Sequence, residues 1–421
     1  MNSLIYRTIK SYKRKIPPEC RHNFMTEMIY YIFVGLSNGF LIPFATVIAR
    51  KELHASTFCL GAMSAATGVA CILGFVFTGF VKQNRELPVY IWTNVIGRLA
   101  NMVIAFSLNA PVFTVLWIWS TVFQGVSQPQ YGIISQNIYP ANKRATLISY
   151  SRMASTITTL VSTLLGGVLI DIIGWRASFC ISALCLALST VAMFFYRIPK
   201  TETEKNDIPL SEYLTYSVKL LKNDVLNRNI VIGAFIFVTG CSLSTILMPM
   251  TQADILNIST SHLGWLNGIY TIVWIVSLWF FGPFIDKKGS VGGLVLSFLF
   301  YLFIPVVYLF ARSSFALLPA FVILGIYTAC NTIAYFAMMM DLSPKGEEKI
   351  YQGVNSLWTG ARSMAAVLIA TFIINKIMGI TSLPETERHI ILYGISIVFI
   401  IIGISYLHIN CRKHYNIRRC E

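Results

Sequence analysis

Three arginines, Arg98, Arg152 and Arg362, stand inside long apolar runs. A guanidinium carries five donors in a fixed fork and stays charged at physiological pH. Held away from water, it needs an acid, an array of acceptors or an anionic ligand. Arg362 lies ten residues into its run, about 15 Å along a helix that rises 1.5 Å per residue. No Asp or Glu stands at comparable depth in any run, so the anionic end of a substrate is one reading of Arg362. The other is an arginine satisfied by helix carbonyls and by amides such as Asn331 or Asn355. Arg152 falls within about 10 Å of the end of its run, near a mouth, where snorkelling also serves it. Arg98 reads as a helix-packing residue anchored by neighbours such as Asn94 or Asn101.

Amides form the second set. Gln124, Gln128, Gln130, Gln136 and Asn137 crowd a single run, and Gln124 and Gln128 share a helical face with Tyr131, where Pro129 can bend the helix. Such a face either bonds neighbouring helices or lines a polar cavity. Asn38 and Pro43 in one run and Thr239, Ser242, Ser244, Thr245 and Pro249 in another mark two breakable helices. The candidate cavity set is therefore Arg362, Gln124, Gln128, Asn331 and Asn38, with Arg152 nearer the inner mouth. Tyr270, Trp274 and Trp358 would supply an aromatic wall for a flat organic molecule, although aromatics facing lipid are as common. His262 and Glu27 read as interfacial residues. With no buried carboxylate or histidine evident, proton or sodium coupling loses support and uniport or anion exchange gains it.

The elements that must position these residues follow from composition. The chain has 421 residues, 55% hydrophobic and only 12% charged, with a mean hydropathy of +0.65. Ordinary soluble domains carry roughly 25% charged residues. A water-soluble enzyme, a disordered chain and a small disulfide scaffold are excluded, which leaves a polytopic membrane protein. Twelve runs are long enough to span, given about 20 residues per crossing: 28–48, 58–80, 88–108, 112–138, 146–170, 176–196, 230–250, 262–285, 291–311, 314–340, 352–375 and 389–408. The first is read as a retained helix, being long for the core of a signal peptide.

Net charge is +15, but the basic residues sit in short stretches between the runs, not on a stripe suited to nucleic acid. With the N-terminus inside, 24 of the 33 Lys and Arg fall on the cytoplasmic side, as the positive-inside bias requires. Both termini are therefore expected to be cytoplasmic, in a plasma membrane, or the inner membrane of a bacterium. The nine cysteines include no CxxC pair and no Cys/His cluster with zinc spacing, so neither a metal nor another cofactor is expected.

Residues 197–228, with Pro199, Pro209 and mixed charge, read as a cytoplasmic linker between halves. Leu210, Tyr213, Leu214, Val218 and Leu221 there recur at the spacing of a short amphipathic helix. The halves echo each other. Leu60-Gly61 and Gly79 match Leu263-Gly264 and Gly282 at an offset of 203; Gln128 and Asn331 share it, and Pro140 and Pro344 are 204 apart. A six-plus-six repeat follows, with a substrate site expected between the halves near the midplane. The expected domains are a tail over 1–27, a six-helix bundle over 28–196, the linker, a second bundle over 229–408 and a tail over 409–421.

The stretch Gly282-Pro283-Phe284-Ile285-Asp286-Lys287-Lys288-Gly289 resembles the GxxxD(R/K)xG loop of the major facilitator superfamily. The resemblance implies a conformational latch built from Gly282, Asp286, Lys287 and Gly289. The equivalent loop of the first half keeps Gly79 but has Gln83 in place of the acid. Gly166-Gly167 through Asp171, Gly174-Trp175-Arg176 and Phe179 resembles the family's passage from span 5 into span 6. Gln124-Gly125 resembles its RxxQG motif, with Thr121 where the arginine would stand. The resemblance implies an all-α fold of twelve transmembrane helices in two six-helix bundles, working as a monomer by alternating access.

The expected activity is movement of a small solute across the lipid bilayer by uniport or exchange, the favoured cargo being a small organic anion or polar metabolite. Multidrug efflux is the transport alternative. A non-transporting sensor or scaffold of the same fold is the other, supported by Gln83 and Thr121. No nucleic-acid partner is expected, and no Walker loop, HExxH, GxSxG or paired intramembrane carboxylates suggest an enzyme.

Overall fold

In a computed structural model, residues 18–78, 81, 85–139, 144–197, 215, 216, 219, 222–342, 348–380 and 383–414 are described. Long helices dominate: α1 (Arg21–Lys51), α2 (Thr57–Thr78), α3 (Glu86–Val103), α4 (Ala110–Ile138), α5 (Arg144–Ile173), α6 (Trp175–Met193), α7 (Val225–Met250), α8 (Thr260–Lys288), α9 (Ser290–Phe310), α10 (Leu318–Leu342), α11 (Glu348–Met378) and α12 (Glu385–Cys411). Among the described residues, 11 of these helices hold a stretch long and apolar enough to cross a membrane. Each helix overlaps one of the twelve sequence runs. The ends differ most at α1 and α7, which begin several residues before their runs because polar residues such as His22, Asn23 and Glu27 continue the helix. Most of the 197–228 segment, with its expected amphipathic helix, lies outside the described residues, as do Gly79, Pro140, Pro344 and the side chains of Gln128, Pro129, Gln136, Asn137 and Asp286.

Local chemistry sets several boundaries. Asn109 caps α4 by accepting from the Val112 amide at 3.0 Å, with Pro111 in the first turn. Asp224 does the same for α7 through the Asn227 amide, and Ser259 for α8 through the His262 amide. These side-chain oxygens satisfy amides that have no partner inside the helix. Gly174, between α5 and α6, and Gly289, between α8 and α9, have φ of +87° and +89°, which residues with a Cβ rarely adopt. Helix α7 runs into a π turn at Thr251–Ile255, just after Pro249.

Helix α1 packs on α5 and α6, α2 on α4 and α3 on α4; in the other half α7 packs on α12 and α11, α9 on α10 and α8 on α10. The halves meet chiefly along two pairs, α2 with α11 and α5 with α8. Both crossings are made by small residues. A Cβ built on Gly68 would lie 2.9 Å from the Gly360 carbonyl oxygen, and one on Gly61 would lie 2.2 Å from Thr371 Oγ1. A Cβ on Gly167 would lie 2.6 Å from the Thr260 carbonyl oxygen, and one on Gly264 would lie 2.9 Å from that of Thr163. Without side chains in the way, backbones approach to van der Waals contact. Gly61 and Gly264 are the pair related by the 203-residue offset, so the repeat places equivalent glycines at the two crossings. Gly61 and Gly264 lie early in α2 and α8, against Thr371 late in α11 and Gly167 late in α5, while Gly68 and Gly360 meet near the middle of α2 and α11. The halves are thus joined on the side away from the chain termini.

Candidate functional site

Helix α1 carries Glu27 two turns in, and the side chain is buried with 1% exposure. The Tyr131 hydroxyl donates to its carboxylate at 2.6 Å and the Tyr139 hydroxyl donates to the other oxygen. The Ser151 hydroxyl nearby donates to the Leu147 carbonyl of its own helix at 3.2 Å. This corrects the sequence reading in which no buried carboxylate was evident. The helix begins seven residues before the apolar run, and α4 and α5 close over the polar turn that the run excluded. The tyrosines that hold Glu27 gave a faint signal: Tyr131 lies in an amide-rich helix and Tyr139, eight residues on, just past its end.

Arg152 lies beside this cluster with its guanidinium 4.8 Å from the Tyr31 ring centre and 5.6 Å from that of Tyr131. Protein surrounds most of it, yet its side chain is exposed, as on the wall of a cleft. The ring faces hold the cation by their quadrupoles. Arg98 is 2% exposed and donates to Ser189 Oγ and Thr190 Oγ1 at 2.9 Å each and to the Tyr30 hydroxyl at 2.9 Å. Its packing role stands, with different anchors: Asn94 bonds back to the Tyr90 carbonyl of its own helix. Because Arg98 ties α3 to α6 and α1, Arg98→Ala is expected to destabilise the fold by about 2 kcal/mol or more, the scale of bonds to a charged group. A thermal melt in detergent checks this.

On α11, Arg362 is half-buried with its guanidinium 5.7 Å from the Tyr335 ring centre. Among the described residues nothing accepts from its buried Nε. The amides proposed to satisfy it are engaged elsewhere: Asn355 accepts from the Tyr335 hydroxyl at 3.3 Å and Asn331 accepts from Ser297 Oγ at 3.3 Å. Trp358, one turn before Arg362, and Trp274 on α8 also bury indole N–H groups that have no acceptor among the described residues. Gln124 donates to Ser120 Oγ of its own helix at 2.8 Å, and Asn38 is half-buried on α1. The structure therefore sets Arg98 and Arg152 of the first half and Arg362 of the second against tyrosine rings. Among the described residues it does not join Gln124, Asn331 and Asn38 into a single hydrogen-bonded set.

Toward the joined side, a cavity of about 170 Å³ opens among Pro43 and Thr46 of α1, Thr245 of α7, Gln252 of the π turn after it, Asn267 of α8 and Tyr308 of α9. Beyond it, Asp171 at the end of α5 accepts from the Ser261 amide at 2.8 Å, the Thr260 amide at 3.2 Å and the Thr260 hydroxyl. A carboxylate at exposed amides of a helix N-terminus is favourably placed in the helix field. Here it belongs to one half and the helix to the other. Arg50 and Asp254 make a second tie between the halves, an ion pair at 2.6 Å. His262 faces Phe315 and Trp265 of its own half. Of the latch residues on the termini side, Gly282 lies within α8, Lys287 is exposed and Gly289 makes the positive-φ turn.

The sequence matches the description Major Facilitator Superfamily over residues 28–367 and again over 230–413. The chain is a member of the major facilitator superfamily. Within the superfamily it is 23% identical to a protein of Lactococcus lactis subsp. lactis (strain IL1403) named multi-drug resistance efflux pump PmrA homolog, over 94% of this chain and 96% of that one. The nucleoside transporter NupG, in a mutant form, matches with a TM-score of 0.73 at 12% identity over 90% of this chain and 98% of its own. A bacterial homologue of the human lysosomal transporter Spinster, inward-facing and unoccupied, matches at 0.68 and 13% over 94% and 98%. As a superfamily member, the chain is a multi-pass membrane transporter with the fold these structures share.

Proposed function

We propose that the chain carries a small organic anion across a plasma membrane as a monomer with both termini in the cytoplasm. Residues 28–196 rock against residues 229–408 about the site between them. The observation that carries this is Arg362: among the described residues its buried Nε has no acceptor, and the indole N–H of Trp358, one turn away, has none either. Buried donors left without acceptors are costly, and an acceptor-rich ligand relieves both at once. Tyr335 supports the guanidinium face, while Trp358 offers a flat wall to an organic body. Arg152 extends positive charge toward the termini side, where the Lys/Arg bias of the loops would concentrate anions. Gln124, Gln128, Asn331 and Asn38 serve as the polar lining in this reading, and Asp286 with Gly282, Lys287 and Gly289 as the latch on the cytoplasmic face.

A thermal-shift screen of the purified protein against pools of organic anions, neutral sugars and lipophilic cations tests the assignment. A ligand that prefers the folded state at one hundred times its Kd stabilises it by about 2.7 kcal/mol. Protection by anions, followed by their flux into proteoliposomes, is the expected result, and binding without flux would make the chain a sensor.

A second reading is efflux of lipophilic cations. Glu27 among Tyr31, Tyr131 and Tyr139 favours it, because a buried carboxylate ringed by aromatic faces suits a cation, and so does the name carried by the Lactococcus relative. Protection by the cation pool alone would replace the first reading with this one.

A further inference from the structure

We propose that a pocket at the head of α12 binds a small inorganic anion of chloride size, and that its occupant steadies the turn that clasps the two halves together. The pocket lies within the second half on the joined side, among Thr251 and Ile255 of the π turn, Tyr308 and Arg312 around the end of α9, and Thr386 and His389 of α12. At about 10 Å³ it has room for one water-sized particle. Donors converge on it. His389 is 2% exposed, its Nδ1 is 3.0 Å from Thr251 Oγ1, and its buried Nε2 has no partner among the described residues. The Tyr308 hydroxyl already accepts from Gln252 Nε2 at 2.6 Å, which leaves it a proton to give. Arg312 adds an exposed guanidinium. Helix α12 begins after Pro384 with no side-chain cap on its first-turn amides, which favour a negative charge.

Acceptors are scarce in comparison. Thr251 Oγ1 is engaged by the Tyr393 hydroxyl at 2.8 Å as well as by His389. A water must place two hydrogens of its own, whereas an anion only accepts. Charge agrees: Asp254 near the ring is paired with Arg50, which leaves Arg388 and Arg312 as cations beside it, while Glu385 and Glu387 of the first turn are exposed to solvent. Thr251 has one hydrogen to give. With an anion in place, Tyr393 donates to Thr251, Thr251 donates to Nδ1, and the ring carries its proton on Nε2 against the anion. The same five residues make the clasp. Thr251 opens the π turn, and Asp254, three residues on, pairs with Arg50 of the first half at 2.6 Å. Such turns are rare and collect at functional sites. An occupant that holds Thr251 through His389 therefore holds the backbone that carries Asp254 and favours the closed joined side.

The probe is the halide itself. The full chain is purified in gluconate salt, and thermal melts are recorded as chloride or bromide replaces gluconate at constant ionic strength. A saturable rise in melting temperature is expected with both halides. It should vanish in His389→Phe, which keeps an aromatic ring without its nitrogens. Should that variant not fold, Arg312→Gln at its exposed position should weaken the apparent halide affinity about two- to fivefold, the scale of an exposed ion pair. Arg362→Gln should keep the full rise, because the halide does not occupy the cargo site. Spin labels at the exposed Glu52 and Asn375, one on each half at the joined side, should lose their more widely separated population as halide is added to wild type, and keep it in His389→Phe. No saturable rise would leave the pocket with a buried water only and overturn the proposal. A rise retained in full by both His389→Phe and Arg312→Gln, or one removed by Arg362→Gln, would place the halide elsewhere and overturn it too. Labels that ignore halide in wild type would overturn the link between pocket and clasp.

Discussion

Arg362→Gln is expected to abolish the protection that organic anions confer and to stop their flux, while leaving the fold intact. Glutamine keeps the polarity but is shorter and loses the charge and three of the five donors. A charge-assisted bond contributes about 1.5–3 kcal/mol, so the apparent Kd should rise about tenfold to more than a hundredfold. Arg362→Lys separates charge from shape. Lysine retains the cation but not the planar fork that lies against the Tyr335 ring, and an intermediate loss is expected. The fold should tolerate both changes, because Arg362 donates to none of the described side chains and its removal orphans none of them. Arg98 is the contrasting case, since three hydroxyls depend on it. Equal anion protection in wild type and Arg362→Gln would make Arg362 structural and end the anion assignment. A variant that is protected but does not transport would place Arg362 in the movement and not in recognition.

What the sequence made legible, and what it hid, divides by the range of the interactions. Apolar runs of about 20 residues found the helices, because in lipid every backbone group is satisfied within its own helix. A glycine matched at a fixed offset found the symmetry, and the structure then put Gly61 and Gly264 where the halves touch. Arg98 was readable as a packing residue, but not its partners, since Ser189 and Thr190 are about ninety residues away in sequence. Glu27 was misread for a different reason. A hydropathy boundary records where a run becomes apolar, whereas burial depends on which neighbouring helices close over the turn before it. Tyr131 and Tyr139 come from more than a hundred residues away, and their spacing is too faint a pattern to point at Glu27. Asp171 shows the same limit: its sequence context pointed to a helix passage, and only the packing of α5 on α8 reveals that it holds the N-terminus of a helix in the other half.

Gly264→Leu is expected to open the joined side. A Cβ there would lie 2.9 Å from the Thr163 carbonyl oxygen and 3.2 Å from the Gly167 Cα. Both obstacles are backbone, so no rotamer relieves them and the helices themselves must separate. Overpacking of this kind costs about 1–3 kcal/mol, and each 1.4 kcal/mol changes a two-state equilibrium tenfold. A transporter whose two facing states lie within a few kcal/mol of each other would therefore shift largely to the state in which α5 and α8 part. Spin labels at the exposed Glu52 and Arg312, one on each half at this side, should move apart, and ligands added from the opposite side should bind more weakly. Asp171→Asn tests the same surface more gently. It leaves one oxygen to accept from Thr260 but sets an NH2 donor against the Ser261 amide, so it gives up that bond, about 0.5–1.5 kcal/mol, along with the charge at the α8 N-terminus, about 0.3–1 kcal/mol, and a shift in the same direction is expected. The order of the two effects carries the argument. If the glycine crossing sets the closure and the carboxylate only trims it, Gly264→Leu must exceed Asp171→Asn. The reverse order would assign the seal to the polar clasp, and an unmoved label pair in Gly264→Leu would mean that the α5–α8 contact does not govern access at all.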